Sequence, residues 1–232
     1  MWGNIAIAFL LAFIVSFMAT PYTIKIAKKV GAVSIEKGKR RMHNRQMPKF
    51  GGPAVILGFL VSVGYLLIVM SLEGGINLFG EEQYGKKLLG MLLGIIVLAI
   101  TCIIDDIKTI KPLTKLSGQL LAAIIVISFG IRIDDITLPF LPTHELNEIF
   151  SYILTLGWIV GITNAINLID GLDGLSSGIA SIYFLTIGVI AMLLNNSNGL
   201  DIILTFIMLG STLGFLVHNF NPAKIFMGDS GS

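Results

Sequence analysis

IFSYILTLGWIVGITNAINLIDGLDGLSSGIASIYFLTIGVIAMLL, residues 149–194, reads as an apolar run, a short polar turn and a second apolar run. At 1.5 Å per residue, runs of this length suit a hydrocarbon core of about 30 Å, so the stretch predicts two membrane helices, 149–169 and 175–194, joined by a tight turn. Charged side chains at mid-bilayer cost roughly 2.5 to 3.5 kcal/mol each, which places Asp170 and Asp173 where a helix emerges into water. Asn164, Asn167, Asp170 and Asp173 recur every three residues, a spacing that gathers them near one helical face. Gly171 and Gly174 alternate with the acids and permit a sharp bend with close approach of backbone to a ligand. A plain polar cap would need only one such residue. The turn therefore predicts an oxygen-rich site at a membrane surface.

The chain around it agrees. Of 232 residues, 54% are hydrophobic and 13% charged, which excludes an ordinary soluble domain. Further spans are expected at 4–24, 50–72, 88–104, 116–131 and 202–217, making an all-α polytopic membrane protein of about seven helices in one transmembrane domain, 1–232. Between the first two spans, Lys25, Lys28, Lys29, Lys37, Lys39, Arg40, Arg41, Arg45 and Lys49 face the lone acid Glu36, so residues 25–49 are expected in the cytoplasm and the N-terminus outside. The first lysine follows the first apolar run rather than preceding it, which argues against a cleaved signal peptide. Residues 132–148, with β-branched residues, Pro139 and Pro142, predict a small external hairpin or irregular loop, leaving Asp134, Asp135 and His144 on the surface. The single cysteine, Cys102, allows no intrachain disulfide and reads as apolar filler.

In this topology every cytoplasmic acid except Glu36 falls in one of three clusters: Asp105 with Asp106, Asp170 with Asp173, and Asp229. Hard oxygen donors without Cys or His clustering favour Mg²⁺, with Mn²⁺ as the alternative, and such sites commonly hold diphosphate. Phosphoryl transfer then needs in-line positioning and charge neutralisation by metal and lysine. Adjacent acids do not face the same way on a helix, so Asp105 and Asp106 are expected to serve different roles. The segment 43–52, HNRQMPKFGG, adds a turn-forming Pro48, a glycine pair and cations suited to a nucleotide or lipid phosphate. Phe226, three residues before Asp229, suits base stacking. A cation-coupled transporter is the non-enzyme alternative, but its binding acids would lie near the midplane between broken helices.

Four blocks, HNRQMPKFGG (43–52), DDIKTIKPLTKLSGQ (105–119), NAINLIDGLDGLSSG (164–178) and FNPAKIFMGDSGS (220–232), together resemble the polyprenyl-phosphate N-acetylhexosamine-1-phosphate transferases, glycosyltransferase family 4. That family includes the phospho-MurNAc-pentapeptide translocase of peptidoglycan synthesis. The resemblance implies transfer of sugar-1-phosphate from a UDP-N-acetylhexosamine to undecaprenyl phosphate, with release of UMP and a requirement for Mg²⁺. It further implies a bacterial cytoplasmic membrane location, a cytoplasmic active site, no nucleic-acid partner and room for a homodimer. Asp105, Asp106 and Lys115 match the catalytic positions, Asp229 and Asp105 the metal ligands. His43, Lys49, Asn167, Asp170, Asp173, Asn219 and Phe226 match the substrate-binding side. The third and fourth blocks are more similar to the UDP-GlcNAc branch, which primes teichoic acid, O-antigen and related glycans, than to the pentapeptide branch, the alternative reading. CDP-alcohol phosphotransferases also place acids in membrane helices, but their motif follows Asp-Gly with Ala-Arg, where this chain has Leu172 and Asp173. Family members normally continue past the Gly-Asp-Ser block through more helices and a His-rich loop, so the resemblance implies a chain lacking its C-terminal part.

Overall fold

A computed structural model describes residues 2–34, 47–73, 82–137, 143–194 and 200–232. Seven helices carry them: α1 Trp2–Val30, α2 Gly52–Glu73, α3 Glu82–Ile107, α4 Pro112–Ser128, α5 Glu148–Ile169, α6 Leu175–Leu194 and α7 Leu200–Asn219. All except α4, which has 17 residues, are long and apolar enough to cross a membrane. The protein is an all-α multi-pass membrane protein, as the run lengths predict. Helix bounds differ from the apolar runs where charged residues join a helix end. α1 continues to Val30 with Lys28 and Lys29 in its last turn, where ammonium groups complement the partial negative charge of the C-terminal carbonyls. α3 continues to Ile107 and so carries Asp105 and Asp106 in its last turn.

Lipid is as apolar as leucine, so helices in a membrane associate through close backbone packing rather than burial of apolar surface from water. α1 packs most extensively on α7 and α2, α6 on α7, and α3 on α4. Gly210 and Gly214, four residues apart, make the α1–α7 contact: a β-carbon at Gly210 would stand 2.3 Å from the Phe9 carbonyl oxygen, and one at Gly214 2.4 Å from that of Phe13. Ala8, Ala12, Phe59, Val63, Leu66, Ile203 and Ile207 fill the seam beside them. Large side chains such as Leu10, Ile68, Ile153, Ile182 and Leu193 point outward, as a lipid-facing surface requires.

Two small antiparallel ladders decorate opposite ends of the bundle. At one end β3 (Asp135–Ile136) pairs with β4 (His144–Glu145), the hairpin expected between the fourth and fifth helices. Asp134, Asp135 and His144 are exposed there. Arg132 pairs with Asp134 (Nε to Oδ1, 2.7 Å) and lies over the Tyr152 ring at 5.4 Å. At the other end β1 (Val33–Ser34) pairs with β2 (Met47–Pro48), a ladder with no sequence signal of its own because each strand is only two residues long.

Candidate active site

The last turn of α3, the first turn of α4, the C-terminus of α5 and the segment after α7 meet at one end of the bundle. Pro112 starts α4 after a four-residue connection, 108–111, from the end of α3, where a missing N–H and a preset φ suit the first helical position. Lys115 therefore sits one turn into α4, facing back toward α3. Its Nζ lies 2.7 Å from Asp229 Oδ1 and 3.3 Å from Asp105 Oδ2. Asn167, in the last turn of α5, donates to the same Asp229 Oδ1 and, at 2.9 Å, to Ser232 Oγ. Asp105 uses its second oxygen to accept from the Ile110 N–H at 2.9 Å, tying down the α3–α4 turn.

Asp106 does something different, as adjacency on a helix requires. It is buried, and its two oxygens accept from the Asp229 N–H at 2.9 Å and the Ser230 N–H at 3.0 Å. Asp170 caps α5 and accepts from the Gly228 N–H at 3.0 Å. Gly228 has φ +76°, a left-handed conformation that L side chains rarely adopt. Two carboxylates from two helices thus hold three successive N–H groups of the 228–230 turn, and this aims the Asp229 side chain at Lys115.

The first and fourth sequence blocks join at the same turn. The Phe226 N–H donates to the Pro48 carbonyl at 2.8 Å, and the Gly51 and Gly52 N–H groups donate to the Met227 carbonyl at 3.0 and 2.9 Å. A β-carbon at Gly52 would stand 2.2 Å from the Ser230 carbonyl carbon and 2.4 Å from the Gly231 nitrogen. Backbone cannot yield as a flexible side chain can. Gly52→Ala is therefore expected to push the 228–231 turn off α2, cutting turnover by about 10²-fold, the cost of misplacing a reacting group by about 1 Å. Near-normal turnover in that variant, measured on folded protein, would show that the turn tolerates displacement.

Burial pushes the Asp229 carboxyl upward, but hydrogen bonds from Lys115 and Asn167 and the charges of Lys115 and Lys49 outweigh it and hold the group below the ordinary carboxylate range. Asp170 goes the other way. Burial, only partly offset by the Gly228 N–H and reinforced by the charges of Asp229 and Asp106, raises it to about 6. A carboxyl with a raised folded-state pKa binds more protons folded than unfolded between the two values, so its contribution to stability falls as pH rises through that window. The melting temperature of the wild type relative to Asp170→Asn is expected to drop between pH 4 and about 6, and parallel curves for the two proteins would contradict this.

Of the residues singled out in the sequence, Asp105, Asp106, Lys115, Asn167, Asp170 and Asp229 are brought together. Lys49 is half-buried beside Phe226, joined to it by a backbone bridge, and its charge acts on Asp229. Phe226 is itself half-buried. Asp173 departs from the face it was expected to share: α5 ends at Ile169, and the Asp173 carboxylate instead accepts from Asn221 Nδ2 and the Ala223 N–H, both at 3.0 Å, bracing the segment after α7. Asn219 is fully buried, accepting from Ser177 Oγ at 2.6 Å and donating to the Ile225 carbonyl at 2.8 Å. His43 lies outside the described residues. Ser177 and Ser232 were not singled out, and an isolated serine carries no pattern that would have marked them.

Carboxylates, the Lys115 ammonium and amides are thus gathered at the helix ends of a multi-pass membrane protein. The chain belongs to glycosyl transferase family 4, whose family model matches residues 88–232. It is similar to the probable undecaprenyl-phosphate N-acetylglucosaminyl 1-phosphate transferase of Bacillus subtilis, with 38% identity over 99% of this chain and 59% of that protein. It is also similar to the decaprenyl-phosphate N-acetylglucosaminephosphotransferase of Mycobacterium tuberculosis, with 33% identity over 99% of this chain and 57% of the relative. The phospho-N-acetylmuramoyl-pentapeptide-transferase of Streptococcus mutans is 31% identical over 97% of the chain and 68% of its own length. The chain thus spans somewhat under three fifths of the first two relatives' length, or just about it.

Proposed function

We propose that this chain carries the site for transfer of N-acetylglucosamine-1-phosphate from UDP-N-acetylglucosamine to undecaprenyl phosphate, releasing UMP, on the cytoplasmic face of a bacterial cytoplasmic membrane. The observation that supports it most is the Lys115 ammonium held between Asp229 and Asp105 at helix ends, where a membrane-embedded lipid phosphate and a soluble nucleotide diphosphate can meet. The Bacillus subtilis GlcNAc-phosphate transferase, at 38% identity, stands above pentapeptide transferases of three Streptococcus species at 31%, 33% and 35%, which favours the GlcNAc branch.

The donor set suits Mg²⁺. Asp105 and Asp229 present carboxylate oxygens that already share one cationic partner. Among the described residues no three His, Cys, Asp or Glu side chains stand close enough to cage a metal by themselves. Mg²⁺ commonly takes one or two carboxylates, keeps several waters and completes its shell with substrate phosphates. Asp229 and Asp105 would hold it, and when bound it would neutralise the charge of the donor diphosphate, including that which develops on the phosphate of the leaving UMP.

In the transfer, an oxygen of the lipid phosphate attacks the phosphorus that bears the sugar, and the bond from that phosphorus to the bridging oxygen breaks, the electron pair leaving with UMP. Lys115 binds the reacting phosphates as a point charge, and Asn167 orients Asp229 toward it. Asp106 and Asp170 keep the 228–230 turn fixed, so the charges need no reorganisation as the bond breaks. Phe226 supplies a ring beside the turn for the uracil.

Purified full-length protein, given undecaprenyl phosphate, Mg²⁺ and a panel of UDP-GlcNAc, UDP-GalNAc and UDP-MurNAc-pentapeptide, tests this through UMP release. UDP-GlcNAc is expected to be used best. Preference for the pentapeptide nucleotide would move the protein to the other branch, and no UMP from any donor would overturn the reading. In the same assay, Phe226→Ala is expected to raise KM for the UDP-sugar by roughly ten- to hundredfold with a smaller effect on kcat, from the strength of base stacking on aromatic rings. An unchanged KM would remove Phe226 from the nucleotide side.

A further inference from the structure

One turn deeper into the bundle than Lys115, α4 places Gln119 against Asn164 of α5. Gln119 is 1% exposed, and the two amides face each other reciprocally: Asn164 Nδ2 donates to Gln119 Oε1 at 2.8 Å, and Gln119 Nε2 to Asn164 Oδ1 at 3.4 Å. Asn164 Nδ2 also donates to the Val160 carbonyl of its own helix at 2.8 Å. Lys115 and Gln119 are four residues apart on α4, and Asn164 and Asn167 three apart on α5, so each pair lies on one helical face. The two helices therefore meet in two successive polar rungs: Gln119 with Asn164, and Lys115 with Asn167, whose Nζ-to-Oδ1 distance is 3.5 Å. The other flank of α4 is set by close approach to α3. A β-carbon at Gly118 would stand 2.5 Å from Thr101 Oγ1, and Thr101 lies four residues before Asp105 on α3.

The buried Gln119 amide, hydrogen-bonded to the Asn164 amide at both its oxygen and its nitrogen, has one good register: sliding either helix by a residue leaves its donor and acceptor unpaired away from water. Apolar residues in the same place would permit many registers, because lipid-facing helices slide at little cost. We propose that the Gln119–Asn164 amide pair is a positioning device that fixes the register of α4 against α5, and so places Lys115 at bonding distance from Asp229. This rests on the transferase reading for its catalytic consequence, but not for its geometry.

Both levels can be measured on the full chain. Gln119→Leu and Asn164→Leu keep much of the volume and remove the pairing. Each is expected to lower kcat by about 10²-fold, the usual penalty for a displacement near 1 Å, with KM for the UDP-sugar changed less than about threefold. The exchange variant Gln119→Asn with Asn164→Gln keeps one short and one long amide facing each other, and is expected to recover most of the lost kcat. A purely space-filling role predicts the opposite order, since the leucine variants pack well in an apolar bundle.

The second readout needs no turnover. Lys115, half-buried and ion-paired, is expected to resist acylation by an amine-reactive ester, whereas Lys108 and Lys111 are exposed. Mass spectrometry of briefly labelled protein is expected to show Lys115 modification rising severalfold in the leucine variants, with Lys108 and Lys111 unchanged. A leucine variant with kcat within about threefold of wild type and unchanged Lys115 protection would overturn the proposal. So would a general rise in labelling of all three lysines, which marks loss of fold rather than register. If wild-type protein itself releases no UMP, the transferase reading falls, and Lys115 protection alone decides the amide pair.

Discussion

Asp229→Asn is expected to abolish turnover, with a loss of at least about 10³-fold, because two functions would sit on one carboxylate. Its Oδ1 accepts from Lys115 and Asn167, and its charge is what a divalent cation on the diphosphate would require. Asparagine keeps the shape and one acceptor oxygen but removes the charge, and charge stabilisation at a metal-phosphate centre is worth several kcal/mol. The variant is also expected to need far more Mg²⁺ for whatever turnover remains. Steady-state rates across a Mg²⁺ titration measure both effects. Near-normal rates with an unchanged Mg²⁺ dependence would remove Asp229 from the centre.

Asp106→Asn is expected to be nearly as damaging by another route. Asp106 carries two acceptor oxygens to two adjacent backbone donors, the N–H groups of Asp229 and Ser230. Asparagine can satisfy one of them, and its amide NH₂ then faces the other donor. A buried N–H left without a partner costs about 1 to 3 kcal/mol, and the turn relieves this by moving. kcat is expected to fall about 10²-fold, as for other displacements near 1 Å. KM for the UDP-sugar should change little, and the Mg²⁺ dependence, unlike that of Asp229→Asn, should stay as in wild type. Asp106 is a positioning residue in this account, whereas the sequence resemblance places it among the catalytic acids. A variant whose loss appears in KM alone, or in altered Mg²⁺ dependence, would return Asp106 to direct contact with substrate or metal.

The contrast between these neighbours marks where sequence reading stops. Helical geometry separates adjacent side chains by about 100° and so predicts that Asp105 and Asp106 differ in role. It does not say which one turns toward Lys115, because that depends on where α4 returns after its proline-started first turn. Asp173 makes the same point. Its three-residue spacing from Asp170 implies a shared face only while the helix continues, and α5 ends at Ile169. Beyond that point the glycine-rich turn sends Asp173 to the segment after α7 instead of to the cluster.

Run length and hydropathy by themselves determined seven helices, their order and the arrival of Asp105, Asp106, Asp170, Asp173 and Asp229 at one end, because the cost of burying charge and unpaired backbone in lipid leaves few other arrangements. The motifs determined the family for the same kind of local reason: each block holds its functional groups within one helix end or turn. Tertiary structure alone decided the long-range partners. Lys115 meets Asp229 across 114 residues and Asp106 holds the Ser230 N–H across 124. The Gly51–Gly52 pair receives the 226–231 turn only because α2 and α7 pack together. Such contacts follow from helix register and crossing, which small residues such as Gly210, Gly214 and Gly118 set through close backbone approach. No periodicity records that, since a glycine in an apolar run looks the same whether it faces lipid or a neighbouring helix.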